Sequence, residues 1–245
     1  MMGAWPLEPE EVPAFLQRLR DYMVKATREA MVRTEWTRPS IRHECALSHL
    51  VRAVTQSAGS NTFLNDFVRL CQEVSYYGAL NALAQLVMKI TAPGLSDFCQ
   101  GAELWDFRLV DPDNRGPVDF EKHSRLLAEF EQAEAHDHLN LIKKLLDGWP
   151  NGRIKLYVAS KALGFRRAYP ELFLEGAYNP LQVADVLEEN VFAFMRRTKQ
   201  EWAVVALPRM ATKLVPVGQT PTEKKFEDQT FWFCLGRCPM AGLTC

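Results

Sequence analysis

The sequence predicts a mainly α-helical fold with a small antiparallel β part, and three observations indicate it. Up to residue 169, apolar residues recur at steps of three and four, which is the period of amphipathic helices. After residue 180, short β-branched or aromatic runs alternate with polar turns. Because 47% of the 245 residues are hydrophobic, the chain can bury a substantial core in one or two domains.

Four helices are predicted in the first part of the chain. Apolar spacing predicts them over residues 8–32, 43–56, 61–77 and 81–90. Asn61 or Thr62 is the predicted N-cap of the third helix, and Gly78 is the expected break after it. Asn81 then caps the fourth helix.

A short buried strand is expected over residues 95–99. Pro93 cannot continue the preceding helix, and Gly94 and Gly101 permit tight turns at either end of the strand. The loop that follows is dense in side chains that suit a sugar, since carboxylates and Asn hydrogen-bond hydroxyl groups and Trp stacks on a pyranose ring. In α/β barrels, loops at the carboxyl ends of strands carry such binding groups.

Residues 91–120 read TAPGLSDFCQGAELWDFRLVDPDNRGPVDF. This run resembles the eighth barrel strand and following loop of the maltooligosyltrehalose synthase family, α-amylase-superfamily enzymes whose pattern there is close to TAPGxPDxYQGxELWDxxLVDPDNRRPVDF. Segments at residues 3–6, 25–30, 34–39, 81–85 and 151–155 follow in the family's order, and the resemblance covers roughly residues 3–208. The sequence departs from the pattern at four positions: Ser96, Cys99, Ala102 and Gly116.

The resemblance implies a helical insertion and the last strand and helix of an amylase-type barrel, followed by a small antiparallel β domain. It also implies an intramolecular transglucosylation of maltooligosaccharides, without a metal or organic cofactor. The implied substrate-binding residues are Gln100, Glu103, Trp105, Asp111, Asp113, Asn114 and Arg115. For residues 111–115, an internally salt-bridged structural loop is an equal alternative, because carboxylate and Arg pairs serve either purpose.

The acid pair that such enzymes require is not recognisable in the sequence. Retaining α-glycosidases hold an Asp nucleophile and a Glu acid/base about 5 to 5.5 Å apart. The chain contains neither a Gly-x-Arg-x-Asp nor an Asn-His-Asp pattern. We therefore expect a C-terminal portion that is inactive alone and whose partner is the N-terminal catalytic barrel half.

Two other interpretations stay open at the level of sequence. One is a noncatalytic carbohydrate-binding or assembly module that pairs with a separate barrel half. The other, an unrelated helical scaffold, is disfavoured by the sequence of residues 111–115.

The second half of the chain contains helices and then strands. Helices are predicted over residues 120–135, 137–149 and 152–169, and strands over residues 181–183, 191–196, 202–207 and 214–217. A boundary with two prolines lies at residues 170–180, so the expected domains are 1–175 and 176–245.

Charge and apolar run length disfavour several partners. The net charge of −1 gives no reason to expect nucleic acid or an anionic membrane as a partner. The longest apolar run, residues 202–208, is too short to span a bilayer, and the first residues lack the pattern of a signal peptide. We expect a soluble, cytoplasmic protein.

The cysteines are expected to be reduced and without a metal. Cys45 and Cys71 fall on apolar helix faces and Cys99 in the predicted strand, so all three are expected to be buried. Three more near the end of the chain match zinc spacing poorly: Cys234, Cys238 and Cys245.

Trp36 and the histidines receive structural interpretations. Trp36 adjoins a helix end, where a packing anchor is favoured over a sugar platform. His43 and His49 do not share a helix face, and His136 and His138 lie at a helix start, so no metal site is expected.

Overall fold

The structure is a computed structural model that describes residues 1–56, 61–183 and 188–218. Its helices are α1 (Val12–Ala30), α2 (Ile41–Thr55), α3 (Thr62–Thr91), α4 (Phe120–Asp147), α5 (Arg153–Ala168) and α6 (Pro170–Leu174). Its strands are β1 (Ala177–Leu181), β2 (Val191–Arg197) and β3 (Trp202–Pro208). The predicted fold class, mainly helical with a small antiparallel sheet, is confirmed.

The chain divides into two compact units. Unit 1 comprises Met1–Ser75 and Asp106–Val118. Unit 2 comprises Tyr76–Trp105 and the described residues from Asp119 onward. This division does not test the domain boundary expected at residue 175, which stays a prediction.

Unit 1 is organised around a tryptophan that packs on two phenylalanines. The Trp5 ring lies edge-on to Phe15 and Phe67, with ring centroids 5.5 and 5.2 Å apart. Phe15 and Leu19 from α1 and Cys71 from α3 are buried around it. Such aromatic contacts add to the stabilisation that burial of the rings provides.

A partly buried ion pair joins the first two helices of unit 1. Arg28 on α1 donates to both carboxylate oxygens of Glu44 on α2, at 2.8 and 2.6 Å. The Thr34 hydroxyl, in the connector, donates to the same carboxylate at 2.6 Å. The hydrogen bond from Arg28 and then that from Thr34 lower the pKa of Glu44 to about 2.

Unit 2 has a core built by α3, α4 and α5. Buried residues of α4 pack against α5, with Phe130 edge-on to Tyr157 at 5.5 Å. The backbone of α4 is non-helical at Asp137, whose side chain accepts a hydrogen bond from the Asn140 amide at 3.1 Å. The predicted pair of helices on either side of residue 136 is therefore confirmed as a kink with a new cap.

The sheet of unit 2 is antiparallel with strand order β1-β2-β3. Phe194 on β2 faces Val205 on β3, and both pack on Ala84 and Val87 of α3. Pro180 is tolerated in β1 because this strand lies at an edge of the sheet.

The carboxyl end of α3 is held by two arginines. Arg196 on β2 is 1% exposed and donates to the carbonyl oxygens of Thr91 (3.3 Å), Phe173 (2.9 Å) and Gly176 (2.7 Å). Arg166 on α5 donates to the carbonyls of Ile90, Ala92 and Gly94, the last at 2.6 Å. Arg166 therefore caps α3 and not its own helix.

The prediction that Gly78 separates two helices is wrong. Helix α3 is continuous from Thr62 to Thr91, and Asn81 lies exposed within it. A glycine inside a helix costs only about 1 kcal/mol relative to alanine, so packing of the flanking apolar residues outweighs it. The Asn61 cap is confirmed, since its side chain accepts from the Leu64 amide at 3.0 Å.

The predicted strand at residues 95–99 is also wrong. These residues form no ladder in the described chain, and Leu95 is 92% exposed. The segment is held instead along α3, where Lys89 donates to the Asp97 carbonyl at 3.0 Å and Ser96 donates to the Lys89 carbonyl. A strand needs a neighbour that pairs with its backbone groups, and the described residues offer none here.

Three smaller predictions need correction. Residues 214–217 form no strand, because the Ala211–Lys213 turn precedes them and Val215 is fixed by a hydrogen bond from the Tyr77 hydroxyl. Cys45 and Cys99 are exposed, whereas Cys71 is buried as predicted, and all three thiols are free. The other three cysteines lie outside the described residues.

Trp36 is not the buried anchor that the sequence predicts. It is 58% exposed, and the Arg28 guanidinium lies over its ring at 5.0 Å. Because Arg28 is fixed by Glu44, the ring is held by a cation–π contact at the surface.

Replacement of Glu44 by Gln should reduce stability in a pH-dependent way. The pKa of Glu44 is about 2 when folded and its ordinary value is 4.5. The unfolded chain therefore binds the proton more readily. The stabilisation is fully present above about pH 4.5 and is lost as the pH falls towards about 2. Thermal unfolding should show E44Q melting below the wild type at neutral pH, with the gap closing in acid; a constant gap would contradict this.

Replacement of Gly152 by Ala should destabilise unit 2. Gly152 has φ of +77°, and an added Cβ would lie 2.8 Å from the Trp105 backbone nitrogen. We expect a loss of about 1 to 3 kcal/mol in the free energy of unfolding. The control is Gly164→Ala within α5, where a Cβ meets nothing within 4 Å. It should stabilise by about 0.4 to 1 kcal/mol, and equal effects of the two changes in denaturant titrations would refute the argument.

Candidate functional site

The part of the loop that belongs to unit 1, Asp106–Val118, is tied to one face of α1. Arg18 donates to the Asp113 carboxylate at 2.8 Å, and the Leu109 amide donates to the same oxygen at 2.5 Å. Two turns further along α1, the Lys25 ammonium donates to the Asp111 carbonyl. The same ammonium lies 3.9 Å from the Asp111 carboxylate. Arg18 and Lys25 are seven residues apart and so share a helix face.

The loop also neutralises its own charges. The Arg115 guanidinium contacts the Asp111 carboxylate, and Arg108 makes a two-pronged contact with Asp106 at 2.7 and 2.8 Å. Bidentate pairs of this kind fix geometry as well as charge. The carboxylates of this loop are therefore all paired with Arg or Lys side chains of unit 1.

Two residues of the loop are exposed to solvent, and one of them, Arg115, is also ion-paired with Asp111. Asn114 and Arg115 belong to the 3-10 turn Asp113–Arg115, and both are exposed, with the Arg115 side chain at 73%. Asp113 is only 18% exposed. Asn114 and Arg115 can thus reach a ligand, whereas Asp113 holds the loop in shape.

In unit 2, Glu103 faces a histidine of α4. Glu103 Oε2 and His123 Nε2 are 3.7 Å apart, and neither atom has a hydrogen-bond partner among the described residues. The other ring nitrogen, Nδ1, lies 2.8 Å from the Asp119 carbonyl oxygen. Because a carbonyl only accepts, this contact places the proton on Nδ1.

Trp105 is fixed from several sides in unit 2. Its indole nitrogen donates to the Trp149 carbonyl at 2.7 Å. The Lys155 ammonium lies 5.5 Å from the ring centroid and donates to the Leu104 carbonyl at 3.1 Å. Gly152 approaches the Trp105 backbone so closely that no side chain fits there. Trp105 is consequently a rigid, half-buried aromatic surface.

The seven predicted binding residues fall into two groups. Unit 1 contains Asp111, Asp113, Asn114 and Arg115, and unit 2 contains Gln100, Glu103 and Trp105. Gln100 is exposed in a turn. Their role in binding stays a prediction.

Residues from distant positions support these groups and were not singled out from the sequence. Arg18 and Lys25 hold the loop of unit 1, and His123 and Trp149 contact the group in unit 2. Lys25 lies in the segment at residues 25–30 that resembles the family, and this resemblance could have identified it. The others carry no local signal, because their roles depend on contacts across many residues.

The described part of the chain contains neither a metal-ligating cluster nor a membrane-spanning helix. No group of three or more His, Cys, Asp or Glu residues there is arranged to hold a metal ion. No helix there has the length and apolar content that crossing a bilayer requires.

Comparisons with known proteins point in one direction, although no protein-family model matches the sequence. A protein of Mycobacterium tuberculosis (strain H37Rv), named as a maltooligosyl trehalose synthase, is 31% identical over 218 residues. That alignment covers 89% of this chain and 25% of the relative. The chain thus spans about a quarter of the length of the curated relatives it matches.

Solved structures agree with this result. The maltooligosyltrehalose synthase from Arthrobacter ramosus has a TM-score of 0.66 and 32% identity, over 87% of this chain and 25% of that one. A hypothetical maltooligosyl trehalose synthase of Sulfolobus tokodaii has a TM-score of 0.59 and 28% identity, over 78% and 24%.

Fold and sequence together relate the chain to one class of proteins, those named as maltooligosyltrehalose synthases. More narrowly, it is a homologue of maltooligosyltrehalose synthase over a quarter-length portion of that enzyme. This extent is consistent with the C-terminal portion that the sequence motifs indicate.

Replacement of Asp113 by Ala should loosen the loop of unit 1. The change removes the acceptor of both Arg18 and the Leu109 amide. Amide hydrogen exchange at Leu109 should accelerate by about tenfold or more, as expected for the loss of a charge-assisted hydrogen bond. Asn114→Ala is the matched control, since its side chain is exposed, and should leave that exchange rate unchanged. Similar rates in wild type and D113A would contradict the structural role.

Proposed function

We propose that this chain is the C-terminal portion of a cytoplasmic maltooligosyltrehalose synthase. In the complete enzyme, the reducing-end α-1,4 linkage of a maltooligosaccharide is converted into an α,α-1,1 linkage. The bond is exchanged within one molecule, so the product has lost its reducing end. The reaction serves the biosynthesis of trehalose.

The observation that carries the proposal is the extent of similarity. Identity of 31% extends over 89% of the chain and not only over the loop. The loop of unit 1 is consistent with it, because Asp113 and Asp111 are held by Arg18 and Lys25 of α1.

The catalytic nucleophile and acid/base are proposed to belong to an N-terminal portion. In the loop of unit 1, Asp106, Asp111 and Asp113 are all ion-paired, which disfavours each of them as a free nucleophile. Substrate contacts in unit 1 would come from the exposed Asn114 and Arg115, and Asp113 would position them.

Residues 95–99 support the need for a partner. They have the sequence of a barrel strand, but in the described chain they have no neighbouring strand and Leu95 is exposed. The Asp97 and Cys99 carbonyls accept hydrogen bonds from Lys89 and Ala102, but no described strand pairs with the segment. Such an unpaired segment is suited to pairing with another chain. We propose that the N-terminal portion supplies the neighbouring strand.

The alternative of a noncatalytic module that pairs with a separate barrel half stays a hypothesis. The proteins that the chain resembles are named as synthases, so they lend it no support.

The activity test uses maltohexaose and measures the loss of reducing ends. The chain alone should show no turnover, and addition of a separately expressed N-terminal portion of a maltooligosyltrehalose synthase should produce turnover. Replacing Asn114 by Ala, which leaves the Arg115–Asp111 ion pair in place, should lower kcat/KM of the mixture by about two- to tenfold, since one polar contact is removed. Glu10→Ala is the control, because Glu10 is an exposed residue of the same unit. It should leave kcat/KM unchanged.

Amide exchange gives the second readout of the same experiment. Exchange at residues 95–99 should slow when the two portions combine, because the segment gains backbone partners. Turnover by the chain alone, or a mixture with neither complex nor activity, would overturn the proposal.

A further inference from the structure

We propose that the cavity beside Trp105 binds one glucosyl unit of a maltooligosaccharide. The cavity lies within unit 2 and has a volume of about 230 Å³. Its lining includes Tyr76, Leu83, Trp105, Asp147 and Trp149. One water molecule occupies roughly 30 Å³ in the liquid, so the space is several times larger than a water site.

The walls of the cavity are fixed before any ligand arrives. The Tyr76 ring is edge-on to Trp149 at 5.8 Å, and the Trp105 indole is anchored on the Trp149 carbonyl at 2.7 Å. Gly152 lies in tight contact with the Trp105 backbone, since an added Cβ would be 2.8 Å from the Trp105 backbone nitrogen. A site with rigid walls spends little of its binding free energy on ordering them.

The chemistry of the lining suits a sugar ring. Aromatic surfaces contact the C–H face of a pyranose, while a carboxylate accepts hydrogen bonds from its hydroxyl groups. Ligand sites characteristically combine apolar and aromatic walls with a few polar groups. Here Asp147 is the charged group, and it is exposed, with no ion pair or side-chain hydrogen bond among the described residues.

The position of Asp147 is not explained by helix stability. It is the last residue of α4, where the helix dipole is negative and disfavours an acidic side chain. The Asp147 carboxylate disfavours phosphate-bearing or carboxylate ligands in the cavity, whose lining contains no Lys or Arg among the described residues. A purely apolar ligand would bury the Asp147 carboxylate at a cost. A neutral polyhydroxylated ring satisfies both conditions.

The glucosyl identity of the ring rests on the proposed function, whereas the sugar class rests on the cavity. The site lies beyond the residues predicted from the sequence, since Tyr76, Asp147 and Trp149 join Trp105 in it. It would hold one unit of a longer oligosaccharide and add affinity without taking part in bond exchange.

The test titrates the 245-residue chain with maltose and follows the indole resonances by NMR. Binding should be weak, with a Kd of about 1 to 10 mM, as is usual for a single small contact surface. Asp147→Asn should weaken it about tenfold through loss of charge-assisted hydrogen bonds. Ala79→Leu, which fills the cavity from α3, should weaken it at least as much.

Controls separate this site from nonspecific effects and from the proposed function. Asp97→Asn alters an exposed acid of the same unit outside the cavity and should leave Kd unchanged. Glucose 6-phosphate should bind more weakly than glucose. No shift of the indole resonances with maltose, or shifts insensitive to both D147N and A79L, would overturn the proposal.

The maltohexaose assay tells the two failures apart. Turnover by the combined portions without maltose binding in the cavity would leave the proposed function intact and refute the site. Maltose binding by the chain, with no turnover by the combined portions, would leave the site intact and refute the proposed function.

Discussion

The last carbonyl groups of α3 are the constraint on which unit 2 depends. A helix end leaves four carbonyls without partners inside the helix, and burying them unpaired is costly. Here guanidinium groups from β2 and α5 supply the donors, through Arg196 and Arg166. Arg196 also reaches Phe173 and Gly176, so one side chain joins a helix end, a second helix and a strand. Its burial lowers its pKa, yet an arginine retains its charge.

This arrangement decides the course of the chain beyond residue 91. Arg166 also donates hydrogen bonds to the Ala92 and Gly94 carbonyls in the following turn, so the direction in which the chain leaves α3 is fixed. Gly176 approaches Leu172 so closely that an added Cβ would lie 2.1 Å from its carbonyl oxygen. No larger residue could complete the Arg196 contacts. Residues 95–99 leave this point with fixed geometry but without a pairing strand.

The sequence predicts what depends on local periodicity and misses what depends on distant partners. Helices α1, α2 and α5 follow from apolar spacing, because an amphipathic face must be buried somewhere whatever its partner is. The break expected at Gly78 fails because a propensity of about 1 kcal/mol is smaller than the packing around it. The strand at residues 95–99 fails for a different reason. Its apolar pattern is genuine, but a strand exists only with a neighbour.

The candidate residues show the same division. Sequence places Asp113, Asn114 and Arg115 in one loop, and this holds because they are consecutive. It cannot assign Asp113 a different role from Asn114, since that depends on Arg18, which lies 95 positions away. Pairing of the acids has a further consequence for function. A loop whose carboxylates are neutralised within unit 1 presents the Asn114 amide and the Arg115 guanidinium as its outward polar groups. The guanidinium only donates, the amide both donates and accepts, and no free acid lies beside them in the described loop, an arrangement that suits hydroxyl groups more than cations or free amines.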